Sequence, residues 1–176
     1  MINAEILKSQ TQQYHDEVEK VMQSNLIFSK QYTTKHYQVF LQRSYNHISN
    51  LLVNTTSHWS KYKTLLKQKE SALHDDLVHL HIEGQTLEYK PMQNICKYQE
   101  LGFLYIVLGA MMGNKIIKVK LSETPGFADF PFNYLSQHQE QLPQIWQEFK
   151  QDINTLSPAD LDKVILSAIQ GYQLFS

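Results

Sequence analysis

The stretch "LYIVLGAMMGNKIIKVKL", residues 104–121, decides the fold, because it is apolar enough for a buried helix and also carries two glycines. Gly109 and Gly113 are four residues apart, which places them one turn apart on the same helix face. Each glycine inside a helix costs about 0.5–1 kcal/mol relative to alanine. The stretch therefore predicts a helix whose backbone is closely approached at these glycines. Its apolar run, residues 101–113, is typical of a buried helix and shorter than a membrane span.

Length and charge restrict the class of protein. The chain has 176 residues, of which 42% are hydrophobic and 19% charged, and this predicts one domain, 1–176, with a single core. There are 16 Lys and Arg residues against 17 Asp and Glu residues, for a net charge of −1. This balance argues against nucleic acid or an anionic membrane as partner, and leaves small ligands and other proteins.

The cysteine content and the N-terminal segment indicate where the protein works. Cys96 is the single cysteine, which excludes an internal disulfide and suits a reducing compartment. The segment "MINAEILKSQ" has no apolar stretch of the kind that a secretory signal carries. We expect a cytoplasmic protein.

The rest of the chain predicts an all-α fold, because apolar and polar residues recur at helical spacing and nowhere alternate over a sustained stretch. Asn3 is expected to cap a first helix that ends near Met22. Further helices are predicted over residues 34–54, 70–82, 100–121 and after Pro91, Pro143 and Pro158, with Ser157 as a cap. The cluster "SETPGFADFP" predicts a loop.

His15 is the first candidate for chemistry. It lies within the apolar stripe of the first helix, and Lys8 precedes it by two turns, about 10 Å along the helix axis. This arrangement suits a nitrogen ligand beside a cation, but a lone histidine on an apolar face is more often a core histidine bonded to a backbone carbonyl. Gly109, Ala110 and Gly113 also have two interpretations, because small residues in a helix more often permit a close helix crossing than contact with a ligand.

Several segments together resemble the haem oxygenase family, and they occur in the family's order along almost the whole chain. "LKSQTQQYHDEVEKVM" resembles the first helix of that family, and "LGAMMGN" resembles its kinked distal helix. "YNHISNLL" and "ALHDDL" are similar to the second helix and the acidic turn after it. "FKQDINTLSP" and "GYQLF" are similar to the last two helices.

The resemblance implies a single-domain helical bundle that holds haem between the first helix and the glycine-kinked distal helix. It implies that His15 is the proximal ligand of the haem iron. The remaining residues that it places at the site are Lys8 and Lys150 toward the propionates, Met112 against haem, and Gly109, Ala110 and Gly113 on the oxygen side. Two positions depart from the family's pattern: Ala110 stands where many members have an aspartate, and Asn114 replaces a third distal glycine.

The activity implied is oxidative cleavage of haem to biliverdin, carbon monoxide and ferrous iron, with haem as both substrate and cofactor. Oxygen would be the co-substrate, and electrons would come from a separate reductase of ferredoxin or flavoprotein type, since the chain has no flavin or nicotinamide fingerprint. The sequence leaves open which meso carbon is attacked, whether the role is iron acquisition or bilin supply, and whether the protein is a monomer.

Two alternatives remain open at this point. The protein could bind and buffer haem without degrading it. It could also be a non-haem dimetal oxidase of the same helical fold, because Asp75 and His79 lie at i and i+4. The nearby residues that could join such a site are His74, Asp76, His81 and Glu83. These residues would otherwise form a solvated polar face.

Overall fold

The computed structural model describes residues 2–54, 57–81 and 95–175, and within these ranges it contains helices and no strand. The all-α prediction is therefore confirmed for the described part of the chain. The helices are α1 (Asn3–Val21), α2 (Asn25–Phe28), α3 (Thr34–Asn54), a 3-10 helix (Ser57–Tyr62), α4 (Lys63–His79), α5 (Lys97–Ser122), α6 (Asn133–Ser136), α7 (Leu142–Asn154) and α8 (Pro158–Gln173).

The glycine-bearing stretch forms α5, the central helix, which is buried along most of its first four turns. It packs most extensively against α8. A Cβ atom added at Gly102 would lie 2.0 Å from the Ser167 side-chain oxygen and 2.6 Å from the Val164 carbonyl oxygen, so this close crossing requires glycine. The whole of α5 is long and apolar enough to span a membrane, although its apolar run 101–113 alone is too short. Of the most apolar 18 residues of α5, 44% are buried within the protein.

The predicted helix bounds agree best with the structure where the helix has a long apolar stripe. The helix over residues 34–54 is confirmed as α3, and Ser157 caps α8 by accepting a hydrogen bond from the Asp160 backbone N–H at 3.3 Å. The helix predicted from residue 70 is wrong at its start, because α4 begins at Lys63. Its first turns read as polar, yet Leu65, Leu66 and Lys69 are buried in it. The helix predicted after Pro91 begins outside the described residues.

The prediction that Asn3 caps α1 is wrong, because Ile2 occupies the cap position. The Asn3 side-chain amide instead donates to the carbonyl oxygens of Ile153 and Leu156, at 3.1 and 2.9 Å. Its amide therefore attaches the start of α1 to the end of α7 and the turn that follows.

The arrangement of α1, α5 and α8 creates the site. α8 packs against both α1 and α5, whereas α1 and α5 make few contacts with each other. One of these contacts brings the Thr11 hydroxyl to 3.5 Å from the Tyr105 hydroxyl. A cleft therefore lies between α1 and α5, with α8 on one side of it.

Candidate functional site

The cleft between α1 and α5 consists of two adjoining cavities, of about 190 and 550 Å³. His15 on α1, Gly109 on α5 and Tyr172 on α8 line both cavities. The two cavities therefore meet beside His15 and Gly109, and the cleft extends from there in two directions. Sites for small organic ligands typically occupy about 300–1,000 Å³.

His15 lies on the surface of the cleft and not in the core. Its side chain is 47% exposed, and its Nδ1 atom lies 3.6 Å from an Asp16 carboxylate oxygen. The Nε2 atom lies 3.9 Å from a Glu19 carboxylate oxygen, and the imidazole makes an edge contact with the Tyr172 ring at 6.1 Å between centroids. The interpretation of His15 as a core histidine is therefore wrong, and its ring nitrogens are accessible to a ligand.

The two glycines of the opening stretch face open space. Apart from the adjacent backbone of α5, a Cβ atom added at Gly109 would have no atom of the described residues within 4 Å, and one added at Gly113 would meet only the Ile117 side chain at 3.7 Å. The close helix crossing is made elsewhere, at Gly102 and Gly171. The interpretation of Gly109 and Gly113 as packing glycines is therefore wrong, and they leave room for a flat group against the backbone.

The other residues predicted for the site also line the cleft. Lys8, Met112 and Lys150 line the larger cavity, and Ala110 and Gly113 line the smaller one. Among the described residues, neither Lys8 nor Lys150 forms an ion pair with a carboxylate. Met112 is half exposed while Met111 is buried, so the rotation of α5 directs Met112 toward the cleft.

Two buried polar residues of the smaller cavity were not predicted. His47 on α3 is 3% exposed, and its Nε2 lies 3.1 Å from the Phe103 carbonyl oxygen, to which it donates. Burial lowers the pKa of His47 to about 4, so its ring is neutral, and its Nδ1 atom has no hydrogen-bond partner in the described part of the chain. Asn114 on α5 is 1% exposed, and neither its amide nitrogen nor its amide oxygen has a hydrogen-bond partner among the described residues.

A sequence signal existed for some of the missed residues. His47 falls within the apolar stripe of α3, four residues before Leu51, and Tyr172 falls four residues after Ala168 on the buried face of α8. Periodicity predicts that both are buried, but it does not show that the cleft passes beside them.

The polar cluster of α4 does not assemble into a metal site within the described residues. Asp76 is buried and accepts hydrogen bonds from the backbone N–H groups of Asn133 and Tyr134, at 2.8 and 3.0 Å, so it holds α6 in place. The His79 ring packs on Phe130, with 4.9 Å between centroids. Glu83 lies outside the described residues. The group of potential metal ligands that does come together in the described ranges is His15, Asp16 and Glu19, all exposed.

Comparison with known proteins identifies the fold. No protein-family model matches the chain, and no curated protein matches it. A haem oxygenase from Neisseria meningitidis, solved with NO and CO bound, matches with 19% identity and a TM-score of 0.75, over 99% of this chain and 88% of that one. A haem oxygenase from Leptospira interrogans matches with 13% identity and a TM-score of 0.77, over 99% of this chain and 97% of that one. The protein has the helical fold of these two bacterial haem oxygenases.

Proposed function

We propose that the protein is a haem oxygenase formed by one domain, 1–176. It would cleave haem to biliverdin, carbon monoxide and ferrous iron in the cytoplasm, with O2 and electrons from a ferredoxin- or flavoprotein-type reductase. The observation that supports this most strongly is that His15 and Gly109 line both cavities of one cleft and belong to different walls of it.

The residues of the cleft fit haem. A flat macrocycle needs one helix that offers a ligand and another that offers backbone without side chains, and α1 and α5 meet these needs through His15 and the two glycines. The lining is otherwise largely apolar, and burial of apolar surface contributes about 25 cal/mol per Å². The apolar residues of the smaller cavity include Val18, Met22, Ile106 and Val107. Bound haem would supply the iron that reacts with O2 and the porphyrin ring that is opened.

His15 would hold the iron from the α1 side. Of the two neighbouring carboxylates, Asp16 lies nearer, 3.6 Å from Nδ1. If the His15 ring carries its proton on Nδ1, toward this nearer carboxylate, the Nε2 lone pair is left for the metal. Asp16 would thus orient the ligand.

Lys8 and Lys150 would orient the ring through its propionates. Both line the larger cavity, on α1 and α7, and neither is engaged with a carboxylate of the described residues. Ion pairs at exposed sites contribute only about 0–1 kcal/mol, so these lysines would fix the angle of the ring more than they raise its affinity.

The face of α5 would form the oxygen side. Gly109, Ala110 and Gly113 keep side-chain bulk out of the smaller cavity, while Met112 lines the larger one and would contact the ring from there. Small residues here would leave space for oxygen and for water.

The test begins with haemin added to the purified protein and a visible spectrum of the complex. In His15→Ala the ferric spectrum should change, and added imidazole should restore it, because imidazole can occupy the position of the deleted ring. His74→Ala is the matched control, since His74 is an exposed histidine on α4 that lines none of the cavities described. An unchanged spectrum in His15→Ala would exclude His15 as the ligand.

Turnover separates an oxygenase from a haem buffer. A reductant and catalase are added to the loaded protein, and a bilin absorption band should appear. Stable haem binding through His15 with no bilin under these conditions would support the buffering alternative instead.

A further inference from the structure

Three aromatic rings form one wall of the larger cavity, which is lined by Tyr105 on α5 and by Trp146 and Phe149 on α7. The Trp146 ring lies 5.6 Å from the Phe149 ring and 6.0 Å from the Tyr105 ring, measured between centroids. The Tyr105 and Phe149 rings lie 6.3 Å apart, and the three ring planes are inclined to one another by 18–31°. The rings therefore form one continuous aromatic wall, in which Phe149 is buried and Trp146 is partly buried.

This aromatic wall stands beside the place where His15 would hold a ligand. The Tyr105 hydroxyl lies 3.5 Å from the Thr11 hydroxyl. Thr11 precedes His15 by four residues on α1, which is about 6 Å along the helix axis. A flat ring that is bound through His15 and extends into the larger cavity therefore reaches the aromatic wall.

The α7 side of the cavity offers two opposite kinds of contact. Lys150 follows Trp146 by four residues, so an ammonium group and an indole ring line the same cavity about one helical turn apart. A carboxylate is attracted by the ammonium group, whereas the face of an aromatic ring carries negative potential and replaces none of the water that the carboxylate loses. A vinyl or methyl group has the reverse preference. Neighbouring turns of α7 therefore distinguish a charged edge of a ligand from an apolar one.

Haem presents both kinds of edge, because its two propionates lie on one side of the ring and vinyl and methyl groups lie on the others. A ring held by the iron–His15 bond can rotate about that bond. We propose that Trp146 is a specificity-determining residue that fixes this rotation, because the aromatic wall excludes a propionate from its turn of α7 and accepts an apolar edge there. The rotation decides which meso carbon lies toward the oxygen side. This inference rests on the proposed function.

The test measures the rotation of haem without turnover. In the cyanide complex of the ferric haem-loaded protein, the hyperfine-shifted proton resonances of the haem methyl groups depend on the rotation of the ring relative to His15. Trp146→Lys places a second cation one turn before Lys150. We expect the proportions of the rotational forms to change about three- to fivefold, the effect of one ion pair at an exposed site. The ratio of biliverdin isomers should change in the same direction.

Two matched variants make the result specific to the aromatic ring. Gln147→Lys adds the same charge at the next residue, which is exposed and lines neither cavity of the cleft, and should keep the parental proportions. Trp146→Phe keeps an aromatic ring and removes the indole N–H, and should also keep them. Parental proportions in Trp146→Lys would overturn the inference, as would an equal change in Gln147→Lys or in Trp146→Phe.

A measurement on the parent protein does not depend on the folding of any variant. Iron deuteroporphyrin keeps both propionates and has hydrogen atoms in place of the vinyl groups. It should bind with the same preferred rotation as haem, because the wall acts by excluding the propionates. Loss of that preference would show that packing of the vinyl groups sets the rotation, and would overturn the inference.

The outcomes for the proposed function are separate. If haem binds through His15 and its rotation does not depend on Trp146, this inference fails and the proposed function stands. If haem binds with the expected rotation but no bilin forms, the oxygenase activity fails and the role of Trp146 in orienting haem stands. If the parent binds no haem, the proposed function fails first.

Discussion

Alanine substitution of the α5 glycines should separate stability from activity. Gly113→Ala adds a methyl group that meets only the Ile117 side chain, at an ordinary contact distance of 3.7 Å. Gly102→Ala on the same helix is the matched control, since its methyl group would lie 2.6 Å from a backbone oxygen and 2.7 Å from a backbone nitrogen of α8. The two variants make the same chemical change in opposite surroundings.

The magnitudes follow from these distances. Gly113→Ala should stabilise the haem-free protein by up to about 1 kcal/mol, because alanine favours helix and restricts the unfolded chain. In a domain of this size that raises the thermal midpoint by about 2–4 °C. Gly102→Ala should destabilise by about 1–3 kcal/mol, because backbone atoms of α8 must move.

Activity should change in the other direction. In Gly113→Ala the methyl group points into the smaller cavity, so bilin formed per bound haem in a single turnover should fall while His15 still holds the iron. In Gly102→Ala no atom is added to either cavity, so the folded fraction should still form bilin in a single turnover, and any effect of the altered crossing should appear in the ratio of biliverdin isomers. Thermal melting of the haem-free forms and single-turnover bilin formation measure the two quantities separately. A lower midpoint together with normal turnover per bound haem in Gly113→Ala would refute the reasoning about α5.

Three further outcomes are expected. Lys8→Ala and Lys150→Ala should alter the ratio of biliverdin isomers with less than about a tenfold loss of haem affinity, and parental ratios in both would show that these are ordinary surface charges. The folded pKa of His47 is lowered to about 4 from 6.5, so the unfolded chain binds the extra proton first. The free energy of unfolding should therefore fall by up to about 3 kcal/mol as the pH is lowered from 6.5 to 4. Urea unfolding measured at several pH values should show a smaller fall in His47→Leu. Burial lowers the pKa of Lys69 from 10.5 to about 7, so stability should rise with pH above 7 by up to about 1.4 kcal/mol per pH unit. The same titrations should show a smaller rise in Lys69→Met, and an equal rise would exclude Lys69 as its source.

The sequence was sufficient where local pattern controls structure. The stripe of α3, the cap at Ser157 and the central helix around Gly109 are set by spacing and by local chemistry, and each was predicted. The start of α4 was not, because Lys69 reads as a solvent-facing charge although its ammonium group is buried and donates to the Tyr134 carbonyl at 3.2 Å. That burial depends on α6, a neighbour that periodicity does not reveal.

The candidate site was predictable to a similar extent. His15, Gly109 and Gly113 were singled out because each is out of place in its helix, and the resemblance then assigned their roles. Asn114 was noted only as a departure from a glycine pattern. The lack of a hydrogen-bond partner for its amide among the described residues is a property of the packed structure that the sequence does not show.

The width of the cleft and the side chains that line it are determined by different residues, because the width depends on how α8 packs. α8 holds α1 and α5 in place, and its close crossing with α5 is set by Gly102 and Gly171, which line neither cavity. A substitution at that crossing would change the gap between α1 and α5, and with it the tilt of anything held there, without altering an atom that touches it. Natural variants with substitutions at this crossing would therefore differ in which edge of a bound ring lies nearest α5. His15 and the α5 residues that line the cleft would be the same in all of them.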